Sequence, residues 1–358
     1  MKKNLLFFVT LLVLLLTLSA CGGRRLSASG WPGLATNEDT AYLAAGQHVY
    51  AINLDNGSLR WKFPAEAESD VTFFGAPALT EDGQLIATSY DSNVYSLNPD
   101  NGSQNWVFEH ANDRFVAGPL VTSEGIFAAS ADHNLYAMDF QGEQLWPPFE
   151  TEEPIWAPPS STDACDCIYL ASMDRHIYAI DMADGSLMWQ TEDLGGPIVS
   201  KPAIAEDNTV YASTFGNEIL AIEGEDHSIL WRFETADWAW ASPALDGDQV
   251  FASDLSGTFF AIDRNNGDQL WKIQPGGKIV SAPLVTDDGV YFGTDEGSLV
   301  VINRNGTVQR NQPLAGKLYT SPAAAGDLIL VAPTDGDSLL IAFDNNGVQQ
   351  WAFSPSDS

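Results

Sequence analysis

The chain is poor in positive charge. Lysine and arginine number 16 in 358 residues, against 48 aspartates and glutamates, for a formal net charge of −32. A surface this acidic repels nucleic acid and anionic lipid headgroups, so neither is expected as a partner. It suits solubility in salt, or a basic protein partner. Cysteines are few, only Cys21, Cys165 and Cys167, and no two are adjacent. Long apolar runs are confined to the first twenty residues, so no later segment could span a membrane. The chain shows no helical period and no linker longer than a loop. It also lacks a phosphate loop, a nucleophile elbow and a zincin motif, which removes the usual signatures of several enzyme classes.

What is present begins with an export signal. Lys2 and Lys3 form a positive start, and Leu5 to Ala20 is a nearly continuous apolar run, too short for a comfortable transmembrane helix. Leu18-Ser19-Ala20-Cys21 follows, then Gly22-Gly23. This resembles the bacterial lipobox, and implies cleavage before Cys21 and lipidation of its thiol. Residues 1–20 are expected to be a lipoprotein signal peptide, residues 21–30 a lipidated tether, and residues 31–354 the folded body.

That body repeats itself. "VYAINLDNGSLRW" at Val49–Trp61 returns as "VYSLNPDNGSQNW" at Val94–Trp106 and as "IYAIDMADGSLMW" at Ile177–Trp189. Alignment on Pro32, Pro77, Pro119, Pro159, Pro202, Pro243, Pro283 and Pro322 gives eight copies spaced by 45, 42, 40, 43, 41, 40 and 39 residues. A second marker gives the same count. Trp61, Trp106, Trp146, Trp189, Trp231, Trp271 and Trp351 follow in seven copies, and Arg310 stands near the expected place in the other. Each copy carries four short β-signals separated by turn residues, the third turn holding Asn-Gly or Asp-Gly as in tight hairpins. One four-stranded meander cannot bury both faces, but eight can stack around an axis and close a ring. The expected fold is all-β, an eight-bladed propeller of four-stranded antiparallel blades. Burying a tryptophan on each outer strand is worth roughly 4–6 kcal/mol of gross transfer energy, which favours regular docking of neighbouring blades.

The pattern Ala-Ile-Asp-x-x-x-Gly-x-x-x-Trp, clearest at Ala179–Trp189 and Ala261–Trp271, resembles the repeat of pyrroloquinoline-quinone-type propellers. That resemblance covers residues 32–353. It implies one of two branches, the quinoprotein dehydrogenases or the BamB-type lipoproteins that act as non-enzymatic scaffolds in outer-membrane β-barrel assembly. Length, lipobox and eight repeats are similar to the second. The enzymes carry a vicinal cysteine pair, a calcium held by carboxylates and amides, and a catalytic aspartate. Here Cys165-Asp166-Cys167 is not vicinal and is placed in a turn, and the acidic residues fill repeated turns as turn formers. Neither quinone nor calcium is therefore expected, and no catalytic residue is assigned. The resemblance implies a protein partner such as the β-barrel assembly complex, and membrane attachment through lipid alone, for a monomer. The alternatives are a quinoprotein dehydrogenase and a generic surface ligand-binding or sensor lipoprotein.

Three further features stand out. Cys165 and Cys167 form an even pair once Cys21 is lipidated, and a bridge, two free thiols or a weak metal pair remain open. In an extended strand their Cα atoms would be about 6.5–7 Å apart, so a bridge needs a bend at Asp166. His48, His133 and His176 fall in equivalent second turns of different blades, too dispersed for a metal site. Three residues before each proline, Phe74, Trp156, Trp240 and Tyr319 alternate with Val116, Val199 and Val280, with Ser29 in the first copy. This predicts four aromatics in fourfold array around one channel mouth, either packing the ring or forming a collar for a partner.

Overall fold

The computed structural model describes residues 31–162 and 165–355. The expected signal peptide, Cys21 and the tether lie outside them. The described residues form eight four-stranded antiparallel sheets, each with its strands in sequence order. The blades span 33–63, 78–108, 120–150, 160–190, 203–234, 244–273, 284–313 and 323–353, and succeed one another around a ring as an eight-bladed β-propeller. Second and third strands are buried on both faces, as in Thr40–Ala45 and Ile126–Ala129, and so read as near-continuous apolar runs. The core lies between blades rather than within them. Leu85 of blade 2 packs with Tyr42 and Trp61 of blade 1, and Leu330 and Trp351 of blade 8 pack with Leu43 and Ile52 of blade 1.

The tryptophans act across these boundaries. Trp61 lies on Gly102 of blade 2, where a Cβ would sit 2.5 Å from the indole, and donates its Nε1–H to the Pro99 carbonyl at 2.8 Å. Likewise Trp106 lies on Gly142, Trp146 on Gly185, Trp231 on Gly267 and Trp271 on Gly306. Their indoles donate to the carbonyls of Phe140, Met182, Arg264 and Arg304. Trp351 closes the ring on Gly57 of blade 1, donating to Leu54 at 2.7 Å. Two junctions vary the pair. The Arg310 guanidinium replaces the indole against Gly347 and donates to the Asn345 carbonyl at 3.1 Å. His227 replaces the glycine at φ 62° and stacks on Trp189 with ring centroids 4.1 Å apart.

Two local expectations are corrected. The Asn-Gly turns are not two-residue hairpins, because only the glycine takes positive φ, 71° at Gly57. Asn56 instead accepts the Ser58 N–H on its Oδ1 at 2.9 Å, while Gly57 donates to the Asn53 carbonyl at 2.9 Å. A register shift after this longer turn sets Trp61 opposite the small Ala51, and the same shift sets Trp271 opposite Ala261. In blade 3 the outer strand shrinks to Phe149–Glu150, so Trp146 precedes it rather than lying on it. Pro147 and Pro148 supply no N–H to the ladder there.

The third-turn glycine thus meets two demands, positive φ and room for an indole. Gly102→Ala is expected to cost about 2–5 kcal/mol, the sum of left-handed backbone strain and overpacking. Gly83→Ala, at φ 83° with nothing within 4 Å of the added carbon, should cost only about 1–2 kcal/mol from the backbone. Equal losses in urea-unfolding midpoints would show that the indole contact carries no weight.

Candidate functional site

The segments leading into each blade run inward and alternate strictly. Four and two residues before the prolines, side chains are buried, as at Phe73, Phe115, Ile155, Ile279 and Leu318, or at Ala117, Ser200 and Ser281. Five, three and one before them, side chains are accessible, Val199 alone falling among the buried. Period-two alternation puts the first set between blades and the second on the wall of the central channel, near one mouth.

Phe74, Trp156, Trp240 and Tyr319 are each half-buried at these positions, and their aromatic contacts differ from one to the next. Ser29 lies outside the described residues. Trp31 gathers one side of the mouth, its ring 5.2 Å from Trp240 and 5.3 Å from Tyr319. Phe215 extends the group, 4.9 Å from Trp240 and stacked at 4.7 Å on Trp238. Trp238 is 47% exposed. A continuous platform of Trp238, Phe215, Trp240, Trp31 and Tyr319 results, capped by Lys317 at 5.8 Å from the Tyr319 ring. Phe74 pairs separately with Tyr90, over which Arg114 lies at 5.5 Å. Trp156 joins neither group. The proline-anchored alignment already held Trp31 and Trp238 one and five residues before their prolines, but an alternation at a single position could not show them.

Carboxylates of the second turns have structural partners. Asp91, Asp132 and Asp174 accept from the hydroxyls of Tyr95, Tyr136 and Tyr178, the last two at 2.7 Å. Asp132, Asp174 and Asp254 also accept backbone N–H groups of the incoming link, from Asn112, Glu152 and Ala236. The sequence carries this as Ser-x-Asp-x-Asn/His-x-Tyr in blades 2, 3 and 4, a signal hidden among 48 acidic residues. The histidines stay apart. His48 Nδ1 meets the Pro64 carbonyl at 2.8 Å, and His176 Nδ1 meets that of Thr191 at 2.9 Å, while His133 occupies a turn at φ 73°. Among the described residues, no group of three or more His, Cys, Asp or Glu is placed to hold a metal ion.

Cys165 and Cys167 lie in strand Cys165–Ala171 of blade 4, not in a turn. They are disulfide-bonded, with Cα atoms 5.1 Å apart. The register shift in this hairpin, between Ser160 paired with Tyr169 and Thr162 paired with Cys165, supplies the bend. The pair sits beside the first turn, at the opposite end of the blade from the channel mouth.

Eight blades, seven of their junctions latched by a tryptophan and most of these with a carbonyl-capped indole, define a propeller of the quinone-type repeat class. Within that class, the sequence profile described as "Outer membrane protein assembly factor BamB" matches residues 16–146, 45–272, 218–311 and 281–358, and the chain belongs to this family. The crystal structure of BamB from Moraxella catarrhalis is similar, with TM-score 0.73 and 17% identity over 86% of this chain and 94% of that one. The computationally designed Ika8 protein is similar at TM-score 0.75 and 14% identity, over 89% of this chain and 98% of that one. At these identities the likeness is one of fold. No curated protein matches the chain by sequence.

The tyrosine–aspartate pairs give the fold an alkaline limit. Burial, reinforced by the aspartate hydrogen bonds, raises the phenol pKa of Tyr95, Tyr136 and Tyr178 well above the ordinary 10.0. The unfolded chain releases these protons first as pH rises, so their stabilisation is whole below about pH 10 and is lost above it. Urea midpoints should fall above pH 10, and fall less in a Tyr95→Phe/Tyr136→Phe/Tyr178→Phe variant. Identical slopes in the two proteins would assign the loss to other groups.

Proposed function

We propose that the chain is an exported, lipid-anchored, non-catalytic scaffold that binds a protein partner in outer-membrane β-barrel assembly. The observation that carries this reading is the family match, which runs from residue 16 to residue 358 and takes in every blade. The repeat architecture and the lipobox at Cys21 support attachment through lipid on the periplasmic side of the outer membrane. Carboxylates committed to turns and links support a role without catalysis. Neither the quinone nor the calcium of the enzymatic branch is part of this reading. Among the described residues, the wall positions at the mouth are aromatic, aliphatic, small or cationic, and the bonded cysteines are at the other end of blade 4. The chain acts as a monomer in this reading.

Cross-linking of the full-length protein in its own cells tests the proposal. The central β-barrel assembly protein should be recovered with the wild type and should diminish with Cys21→Ala, which should also move from the membrane to the soluble fraction. Recovery of no assembly component from well-expressed wild type would overturn the reading.

A further inference from the structure

The channel mouth departs in charge from the rest of the chain. At the positions five, three and one before the prolines, the described residues include no aspartate or glutamate, although these number 48 in the whole sequence. The same positions hold Arg114, Lys201, Lys278 and Lys317, four of only 16 cations. On the opposite face the cations are spent internally, Arg60 on Asp39, Arg264 on Asp207 and Arg304 on Asp246. Among the described residues, none of the four mouth cations has an ion-pair partner. The Asp295 carboxylate near Lys278 accepts its backbone N–H. Acidic residues resume one position further out, at Asp113, Glu153 and Asp237.

We propose that the mouth binds an acidic peptide segment bearing aromatic or large aliphatic side chains, its carboxylates on Arg114, Lys201, Lys278 and Lys317 and its apolar side chains on the Trp238–Trp240 platform. The proposal rests on the protein-binding reading and names the chemistry of the partner. It reverses what net charge alone suggests, because this unpaired cationic zone lies where the aromatic surface is accessible. Rigid rings offer anchor area at little entropic cost. Lys201 is reached by solvent within the channel but crowded by its wall, and this burial pushes its ammonium below the ordinary lysine value. A crowded, unpaired charge gains more from an arriving carboxylate than an exposed one does, since the local dielectric is lower. The acidic fence beyond the mouth repels a long acidic chain and so selects a short acidic cluster.

Isothermal titration of the full-length protein in detergent provides the test. The probe is an N-acetylated, C-amidated peptide of alternating glutamate and phenylalanine, compared with its glutamine and lysine counterparts. The glutamate peptide should bind about tenfold tighter than the glutamine peptide, the scale of one or two charge-assisted contacts. Its affinity should fall with added salt. Lys201→Gln with Lys317→Gln should weaken it about tenfold without lowering Tm, and Trp238→Ala should weaken the glutamate and glutamine peptides alike. Equal or tighter binding of the lysine peptide, or unchanged affinity in the double lysine variant, would overturn the proposal. Failure of the glutamate peptide alongside successful cross-linking to the assembly protein would remove this mouth and leave the scaffold standing.

Discussion

The ring depends on one contact repeated at its junctions, an aromatic ring of one blade laid on the turn glycine of the next. No blade has a core of its own, so each sheet gains stability only by docking on neighbours. The indole supplies apolar area and donates a hydrogen bond to a carbonyl of the neighbouring turn. The glycine makes room for it and takes the positive φ that the turn requires. Both halves of the contact lie in one repeat, but they serve opposite junctions, so each copy is lock on one side and key on the other. Trp351 on Gly57 joins residues at opposite ends of the sequence, and closure waits on the last strand.

The same logic frees the inner segments for another use. Alternation commits one face of each to the blade interface and leaves the other on the channel wall. Mutations on the buried face must preserve packing, whereas those on the accessible face are limited mainly by charge and width at the mouth. Aromatic and cationic residues collect on this second face while carboxylates stay out of it. Acidic side chains elsewhere have work to do, closing turns, accepting from tyrosines or pairing with arginines, so the large negative charge is not a uniform coat.

Sequence periodicity made the blade count, the propeller and the place of Arg310 legible, because proline and tryptophan mark each copy independently. It could not show which glycine each tryptophan touches, since Trp61 and Gly102 are about one repeat apart and belong to different sheets. Asn56-Gly57 misled for a local reason, in that an asparagine side chain can stabilise a turn without taking positive φ itself. The aromatic alternation at Phe74, Trp156, Trp240 and Tyr319 picked out positions that are half-buried in the structure. It missed their grouping, which depends on Trp31 reaching across the mouth and on Phe215 from a neighbouring turn. The cationic set went unseen because three cations five residues before their prolines and one a single residue before its own form no motif until the chain is folded.

The two irregular junctions show what the contact requires. At Gly347 the arginine keeps a planar group on the glycine and an N–H directed at a carbonyl, Asn345, as the indoles do. There the glycine remains, at φ 78°, since turn and room are both still needed. At Trp189 the glycine is gone, and no residue other than glycine can offer the same space. His227 answers by holding a left-handed conformation and turning its own flat ring parallel to the indole, 23° between planes. Stacking then replaces the glycine contact. What each junction preserves is therefore a flat group against a left-handed turn, and the chemical identity of either partner is secondary to that geometry.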